Sequence, residues 1–306
     1  MLSYRHAFHA GNHADILKHC TLTLILHSLL KKDKPFTVFD THGGGGLYQL
    51  DNEGLLHTGE AQRGIIRLLD HADKNPPPEA TLPYLRLAAE YVAKGLYPGS
   101  PEISRSMMRR QDKLFVAELH PTEIEVLRGN MDGDCQGSGI SIRHESGFAM
   151  LRSCLPPLAR RGLILVDPSY ETDSDYTEPA SALAQAARKW QTAIIALWYP
   201  LLSHRQQQLD NLLCRLAEGF GLACLHNGDR RTLTAELHVA PPRTFPSSAP
   251  KGEPGTGQKK ASRLYGSGMM VLNAPYLLEE QLQEALPYLA KALAPQTGSW
   301  EIRRWD

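Results

Sequence analysis

The sequence predicts an α/β protein built around a mainly parallel sheet. Short runs of branched and aromatic residues alternate with longer segments whose apolar residues recur at helical spacing. Several of the short runs end abruptly in an acidic or glycine-rich stretch, and such folds bind ligands at the carboxyl ends of their strands. The 306 residues suffice for one large domain, or for one domain that carries an inserted subdomain.

Composition and charge are those of an ordinary globular protein. Apolar residues make up 42% of the chain and charged residues 22%, and the net charge is zero, so nucleic-acid binding would need a local basic patch. The five cysteines form no CxxC pair, which predicts reduced thiols and no metal site. No apolar run is long enough for a membrane span and no signal peptide is recognisable. We therefore expect a cytoplasmic protein without a membrane partner.

The first part of the chain predicts a leader, a buried helix, a strand and an insertion. Residues 1–13 are polar and rich in histidine, and the apolar residues of 14–31 indicate a mostly buried helix. Residues 35–40 indicate the first core strand, which runs into a glycine-rich turn at 40–46. From 51 to 96, leucine, alanine and arginine recur at helical spacing around a triple proline, which predicts a small inserted helical subdomain.

The rest of the chain predicts six further strands. They are expected at 114–119, 140–144, 162–166, 193–198, 233–240 and 267–272. Helices are expected between them at 102–110, 122–131, 148–155, 180–190 and 205–220, and a closing helix at 279–294. The last two strands lack an intervening helix, so we expect them to pair as an antiparallel hairpin at one edge. Residues 241–266, rich in proline, glycine, serine and lysine, predict a flexible loop.

Two strand ends carry the first candidate site residues. The glycine-rich turn can bring backbone N–H groups close to a ligand, although a tight turn needs glycine in any case. A phosphate-binding loop is excluded because no Gly-Lys-Ser or Gly-Lys-Thr follows. Glu118 lies near the carboxyl end of the second strand, where such folds hold ribose hydroxyls; taken alone, it is better explained as a helix cap or a surface acid.

The most specific stretch is Asp167-Pro168-Ser169-Tyr170, after the buried strand 162–166. An exocyclic amine on an aromatic base is a poor nucleophile because its lone pair is delocalised into the ring. Two acceptors, the Asp167 carboxylate and the Pro168 carbonyl, could stabilise the positive charge that develops when the amine attacks. The Tyr170 ring could stack on the base. An ordinary Asp-Pro-Ser turn explains the same residues equally well.

These motifs together resemble a known family. YRHAFHAGNHADILKH, DTHGGGG, YPGSP, ELHP, RRGLILVDPSYE and ALWYP closely resemble the large-subunit (23S) ribosomal RNA adenine-N6 methyltransferase J family. The resemblance implies a Rossmann-like class I methyltransferase fold with a seven-stranded sheet. It also implies transfer of a methyl group from S-adenosyl-L-methionine to the N6 amine of an adenine in 23S rRNA, either free or in an early assembly particle. We expect a monomer that needs no metal.

The resemblance also assigns roles to matching positions. The implied catalytic residues are Asp167, Pro168 and Tyr170. The implied cofactor-binding residues are Lys18, His19, His42, Gly44, Ser100, Glu118, Ser146, Gly147 and Asp167. Tyr4 and Tyr170 are expected on the substrate side, and Arg5 suits contact with the RNA backbone. We expect 1–50 and 97–306 to form the methyltransferase domain, with 51–96 inserted in it.

The sequence departs from the family pattern at three places. Ser169 replaces a second proline, so the loop is expected to be less rigid. Gly43 and Gly45 replace alanines, which should loosen the glycine-rich turn. Ser146 stands where an acid commonly precedes glycine, so we expect a weaker contact with the adenine ring, helped by Glu145.

Other readings of the sequence stay open at this point. Methylation of DNA adenine or of a protein glutamine uses similar four-residue motifs, and a non-catalytic RNA-binding protein could keep the same fold. The leader histidines match no standard zinc spacing, so a segment that covers the cleft and contacts RNA is favoured over a metal cluster.

Overall fold

A large mixed sheet with helices on both faces organises the molecule. The computed structural model describes residues 6–131, 139–221, 231–242 and 264–305. The strands are β1 (Thr37–Asp40), β2 (Leu47–Gln49), β3 (Leu96–Pro98), β4 (Lys113–Ala117), β5 (Ile140–Arg143), β6 (Gly162–Val166), β7 (Ile194–Leu202), β8 (Thr232–His238), β9 (Leu264–Leu272) and β10 (Ser299–Arg304). The α-helices are α1 (His13–Leu30), α2 (Glu53–Thr58), α3 (Arg67–Ala72), α4 (Leu82–Val92), α5 (Ser100–Met107), α6 (Pro121–Met131), α7 (Gly147–Cys154), α8 (Ser174–Lys189), α9 (Gln206–Phe220) and α10 (Leu278–Leu293).

The sheet has eight strands in the described part of the chain, in the order β10-β8-β9-β7-β6-β1-β4-β5. The five strands from β7 to β5 pair in parallel, which confirms the predicted mainly parallel sheet. The predicted count of seven strands is wrong, because β10 pairs antiparallel with β8 at the edge. Charged side chains interrupt the apolar pattern of β10, as is common in edge strands, so no strand was predicted there.

The predicted antiparallel pairing of β8 with β9 is confirmed, but the position of the pair differs from the prediction. β9 lies between β7 and β8, and β10 covers the outer side of β8. β7 runs beyond the end of β6 and pairs with β9 along this extension. The extension brings the carboxyl end of β7 beside the residues that follow β6.

Alternate residues of the central strands enter two separate hydrophobic cores. Val38, Leu163 and Leu165 pack in the core that contains α1, α4 and α10. Phe39 and Ile164 pack on the opposite face, in the core formed with α7, α8 and α9. Strands that are buried on both faces read as continuous apolar runs, which is why β6 stood out in the sequence.

The first helix is buried almost throughout its length. Apolar residues lie on all sides of α1, as expected for a helix enclosed by other elements. Its partners include β9, α4, α5 and α10. The Asn12 side chain accepts hydrogen bonds from the backbone N–H groups of Ala14 and Asp15, so Asn12 caps the helix.

The segment between β1 and β4 is mostly helical. The short strands β2 and β3, which precede and follow helices α2 to α4, form a small two-stranded sheet. β2 pairs antiparallel with β3, with Tyr48 opposite Tyr97. Ile65, Leu68 and Tyr84 from this segment lie in the same core as the residues of α1. The chain bends at Gly64, which departs from helical backbone angles between α2 and α3. The division of the chain into domains stays a prediction.

Some predicted boundaries are wrong. α8 begins at Ser174, before the predicted start at residue 180, because the helix accommodates Pro179 within its early turns. α5 ends at Met107, earlier than predicted. The helix 206–220 ends as expected, since Gly221 adopts the left-handed conformation with φ of 73°. The predicted flexible loop 241–266 falls mostly outside the described residues.

A pair of glycine substitutions tests the packing of β7 against β9. An added Cβ at Gly268 would lie 2.2 Å from the Tyr199 ring carbon Cζ, so Gly268→Ala should destabilise the fold by about 1–3 kcal/mol. Gly129 in α6 has no heavy atom within 4 Å of the same position, so Gly129→Ala should be neutral or stabilising by up to about 1 kcal/mol. Urea unfolding measures both effects, and equal stabilities of the two variants would contradict the tight packing.

Candidate active site

A single cleft of about 450 Å³ lies at the carboxyl ends of β1, β4 and β6. The start of α1, the glycine-rich turn and the residues after β6 form its walls. The described residues named as catalytic or cofactor-binding all lie in this lining: Lys18, His19, His42, Gly44, Ser100, Glu118, Ser146, Gly147, Asp167, Pro168 and Tyr170. Tyr4 and Arg5 fall outside the described residues. The shared location agrees with one site, while the individual roles stay predictions.

A buried lysine joins α1 to the end of β6. The Lys18 Nζ atom lies 2.9 Å from Asp15 Oδ1 and also donates a short hydrogen bond to Asp167 Oδ2. The side chains of Lys18 and Asp15 are 5% and 1% exposed, whereas that of Asp167 is 14% exposed and faces the cleft. The ion pairs therefore anchor one oxygen of the candidate acceptor.

The charge on Lys18 is maintained in spite of its burial. Burial by itself would lower the pKa of the ammonium group, but the charges of Asp15 and Asp167 outweigh this effect and raise the pKa above its ordinary value. Lys18 is therefore a permanent cation in the cleft wall. The sequence placed it near the cofactor, and the structure adds its direct contact with Asp167.

Tyr170 is anchored in the protein. Its backbone has a φ of +54°, in the left-handed region, and its hydroxyl donates to the Trp198 carbonyl oxygen at 2.8 Å. The ring makes edge contacts with Tyr176 and Trp198, and 5% of the residue is exposed. Only a small part of Tyr170 is thus offered to a ligand, whereas the neighbouring Trp198 is half-buried and also lines the cleft.

Hydrogen bonds from backbone N–H groups fix the conformation of the glycine-rich turn. The N–H groups of Gly43, Gly44 and Gly45 donate to the Ala117 carbonyl, to Glu118 Oε2 and to the Tyr48 hydroxyl at 3.0, 2.8 and 3.1 Å. A Cβ at Gly43 would lie 2.4 Å from Val116 Cγ1, so an alanine there would require the Val116 side chain to shift. The loosening expected from the two extra glycines is not evident in the hydrogen bonding of this turn.

Glu118 links the turn to the next strand. Its two carboxylate oxygens accept from the backbone N–H groups of Gly44 and His120, at 2.8 and 2.6 Å. Burial raises the pKa of Glu118, and these two hydrogen bonds oppose the increase. A carboxylate has about four lone-pair positions. Glu118 therefore keeps acceptor capacity on the side that lines the cleft.

Ser146 and Gly147 start α7 directly against the glycine-rich turn. A Cβ at Gly147 would lie 2.2 Å from the Thr41 carbonyl oxygen, so only glycine allows this approach. The Glu145 carboxylate pairs with Arg143 at 3.0 Å and lies outside the lining. The expected help from Glu145 at the cofactor is therefore not supported by its position.

Of the remaining predicted cofactor residues, Ser100 and His42 contact the buried acid Asp40, and His19 contacts a buried tyrosine. His19 Nδ1 lies 2.8 Å from the Tyr97 hydroxyl, and Ser100 starts α5 after Gly99. Burial raises the pKa of Asp40 to about 6, against the opposing hydrogen bonds from Ser100 and from the His42 amide. Burial lowers the pKa of His42 to about 4, so this imidazole is neutral at physiological pH.

The cleft also contains residues that the sequence did not single out. His9, Asn12, Asp15, Glu60 and Trp198 all line it. Asp15 could have been found from its position one turn before Lys18, but nothing near Glu60 in the sequence relates it to the leader. Among the residues that the structure describes, no group of three or more His, Cys, Asp or Glu side chains could hold a metal ion. Of the described helices, none has the length and apolar character that crossing a bilayer requires.

The fold and the site define a class of protein. An open, mainly parallel sheet with a reversed strand next to β7, an acid after β4 and an Asp-Pro-Ser-Tyr motif after β6 are the features of a class I methyltransferase. Residues 33–306 match the model of the family described as "Ribosomal RNA large subunit methyltransferase D, RlmJ". The chain belongs to this family, as its motifs predicted, and S-adenosyl-L-methionine is its methyl donor.

Curated relatives and one crystal structure agree with this assignment. The chain is 40% identical over 310 residues to the ribosomal RNA large subunit methyltransferase J of Escherichia coli strain K12, with 99% of each chain covered. It is 38% identical to the protein of the same name from Haemophilus influenzae, with 99% and 98% covered. The crystal structure of LPL1258 from Legionella pneumophila superposes with a TM-score of 0.80 at 29% identity, covering 97% of this chain and 99% of that one.

Removing the buried cation should destabilise the protein strongly. Lys18→Met leaves two carboxylates facing each other with no counter-ion, so we expect a loss of about 3–5 kcal/mol in the free energy of unfolding. The double variant Lys18→Met/Asp15→Asn removes one of these charges and should recover part of the loss. Urea unfolding of both proteins provides the measurement. A double variant as unstable as the single one would contradict the electrostatic explanation.

Proposed function

We propose that this protein transfers a methyl group from S-adenosyl-L-methionine to the N6 amine of one adenine in 23S rRNA. The observation that carries the proposal is the Asp167 carboxylate, which lies beside the Pro168 carbonyl in the same cleft as Glu118 and the glycine-rich turn. The names of the curated relatives support ribosomal RNA of the large subunit as the substrate. The choice of adenine N6 rests on the Asp-Pro-Ser-Tyr motif.

Asp167 and Pro168 are proposed as the acceptors for the target amine. Each accepts one N–H, so that the nitrogen becomes pyramidal and its lone pair becomes available for attack. Lys18 donates to one Asp167 oxygen and leaves the other oxygen for the amine. The extra proton leaves the nitrogen after the transfer and passes to solvent. No covalent bond to the protein is needed.

The residues of the cleft fit the methyl donor. S-adenosyl-L-methionine supplies an electrophilic methyl carbon on its sulfonium sulfur. Glu118 has acceptor capacity left for two ribose hydroxyls, and Ser146 and Gly147, which also line the cleft, would lie beside the adenine ring. Lys18, His19, His42, Gly44 and Ser100 would surround the methionine part. Neutral His42 adds no positive charge beside a sulfonium group.

The substrate side is proposed to include the leader. Tyr4 and Arg5 would contact the RNA, and Tyr170 would border the flipped base, mainly as the anchor of the loop that holds Asp167. The target adenine must leave its stack to enter a cleft of about 450 Å³. We further propose that the chain works as a cytoplasmic monomer on free 23S rRNA or on an early assembly particle.

A transfer assay with labelled cofactor identifies the substrate. Naked 23S rRNA, adenine-containing DNA and a translation release factor are offered in parallel, and the modified nucleoside is identified by mass spectrometry. We expect label in rRNA alone, as N6-methyladenosine. Label found only in DNA or in the protein would replace the proposed substrate. Absence of label in every sample, with the cofactor bound, would favour a non-catalytic RNA-binding protein.

Substitution of the proposed acceptor tests the mechanism. Asp167→Asn should lower kcat by about 100-fold or more, because the amide is a weaker acceptor for a developing cation. The affinity for S-adenosyl-L-homocysteine, measured by calorimetry, should change far less. Asp173→Asn is the matched control, since Asp173 is exposed on the same loop, pairs with Arg205 and lies outside the cleft. Full activity of the Asp167→Asn protein would refute the acceptor role.

A further inference from the structure

The inserted helical segment holds the beginning of the described chain against the cleft. His9 Nδ1 lies 3.1 Å from each of the two Glu60 carboxylate oxygens, and Asn12 Nδ2 donates to Glu60 Oε2 at 2.9 Å. The Thr58 hydroxyl donates to the Phe8 carbonyl at 3.0 Å. Two side chains of the leader thus meet at one carboxylate of the insertion. All three residues of this contact, His9, Asn12 and Glu60, also line the cleft.

The backbones of the two segments touch beside this carboxylate. The Ile65 N–H donates to the Gly11 carbonyl at 2.8 Å, and a Cβ at Gly64 would lie 2.0 Å from the same oxygen. Gly11 itself has a φ of 76°, in the region that favours glycine. Neither glycine can be replaced without moving the backbone. Close backbone packing therefore fixes the geometry of the contact between the leader and the insertion.

Glu60 also fixes which way the Asn12 amide faces. Because the carboxylate accepts from Nδ2, the amide oxygen Oδ1 must point the other way, toward the start of α1. There it accepts from the N–H groups of Ala14 and Asp15 at 2.9 and 3.0 Å. A reversed amide would direct its oxygen at a carboxylate and its N–H₂ at two donors. Glu60 therefore selects the orientation in which Asn12 caps the helix.

The same contacts continue to the candidate acceptor. The Gly11 N–H donates to Asp15 Oδ2 at 2.9 Å, and the other oxygen of Asp15 pairs with Lys18. Lys18 in turn binds Asp167. A continuous chain of polar contacts leads from Glu60 through Asn12 and the first turn of α1 to Asp167.

We propose that Glu60 is a positioning residue for methyl transfer, which docks the leader through His9 and Asn12 and thereby sets the start of α1 and the Lys18–Asp167 pair. This inference rests on the proposed function, since it assigns Glu60 a part in the same reaction. Glu60 acts through other residues and touches no reacting atom. Hydrogen bonding to Glu60 raises the pKa of His9, in agreement with a charge-assisted contact between them.

Three variants separate positioning from other roles. Glu60→Ala removes both contacts. Glu60→Gln keeps an acceptor oxygen for Asn12, so this variant should retain much of the wild-type kcat. Asn12→Ser retains a good helix cap and removes only the bond to Glu60. Glu53→Gln is the control, because Glu53 is an exposed acid of the same segment outside the cleft.

The measurements are kcat, KM for 23S rRNA, binding of S-adenosyl-L-homocysteine, and amide hydrogen exchange of residues 9–15. For Glu60→Ala and Asn12→Ser we expect kcat to fall about tenfold and amide exchange at 9–15 to accelerate by a similar factor. KM for the RNA should stay within about twofold of the wild-type value. Exchange in β6 serves as the internal reference for intact folding.

Other results would overturn the inference. Unchanged kcat and unchanged exchange at 9–15 would show that Glu60 positions nothing. A raised KM for RNA with wild-type exchange would make Glu60 a direct RNA contact instead. If the wild-type protein methylates no RNA, the proposed function fails, whereas the exchange measurement still tests whether Glu60 docks the leader.

Discussion

The buried ion pairs of Lys18 constrain the whole site. An ammonium group that is excluded from water is stable only if carboxylates compensate its lost hydration, and Lys18 has Asp15 on its own helix and Asp167 after β6. These partners come from elements far apart in the chain. Once the three groups meet, the first turn of α1 cannot move without leaving a charge unpaired. The start of α1 and the end of β6 thus behave as one wall.

A second part of the cleft lining depends on close packing instead of charges. An added Cβ at Gly43 would lie 2.4 Å from the Val116 side chain, and one at Gly147 would lie 2.2 Å from the Thr41 carbonyl oxygen. Register within the sheet supports this arrangement, because Asp40 at the end of β1 lies level with Val116 in β4 and Leu165 in β6. The carboxyl ends of β1, β4 and β6 are therefore in register where they border the cleft. One part of the lining is fixed by ion pairs and another by steric fit, and both parts include residues proposed to bind the cofactor.

Sequence patterns predicted the fold better than they predicted the contacts of the site. Buried parallel strands such as β6 are continuous apolar runs, so their positions and the location of Asp167 could be read directly. β10 was missed because an exposed, charged edge strand has no such run. Glu60 was missed for another reason. Its partners His9 and Asn12 lie about fifty residues earlier, and the contact depends on the tertiary approach of Gly64 and Ile65 to Gly11.

The loop after β6 shows how a local departure from the family pattern is compensated by tertiary contacts. Ser169 lacks the ring that would fix its φ, but Asp175 Oδ2 accepts from the Thr172 N–H at 3.0 Å and, at 3.4 Å, from the Ser169 hydroxyl. Tyr170 adopts a left-handed conformation, which costs on the order of 1–3 kcal/mol in a non-glycine residue. Burial of its ring and the hydrogen bond to Trp198 offset this strain. The direction of the Pro168 carbonyl is therefore set on both sides, by the end of β6 before it and by the anchored tyrosine after it.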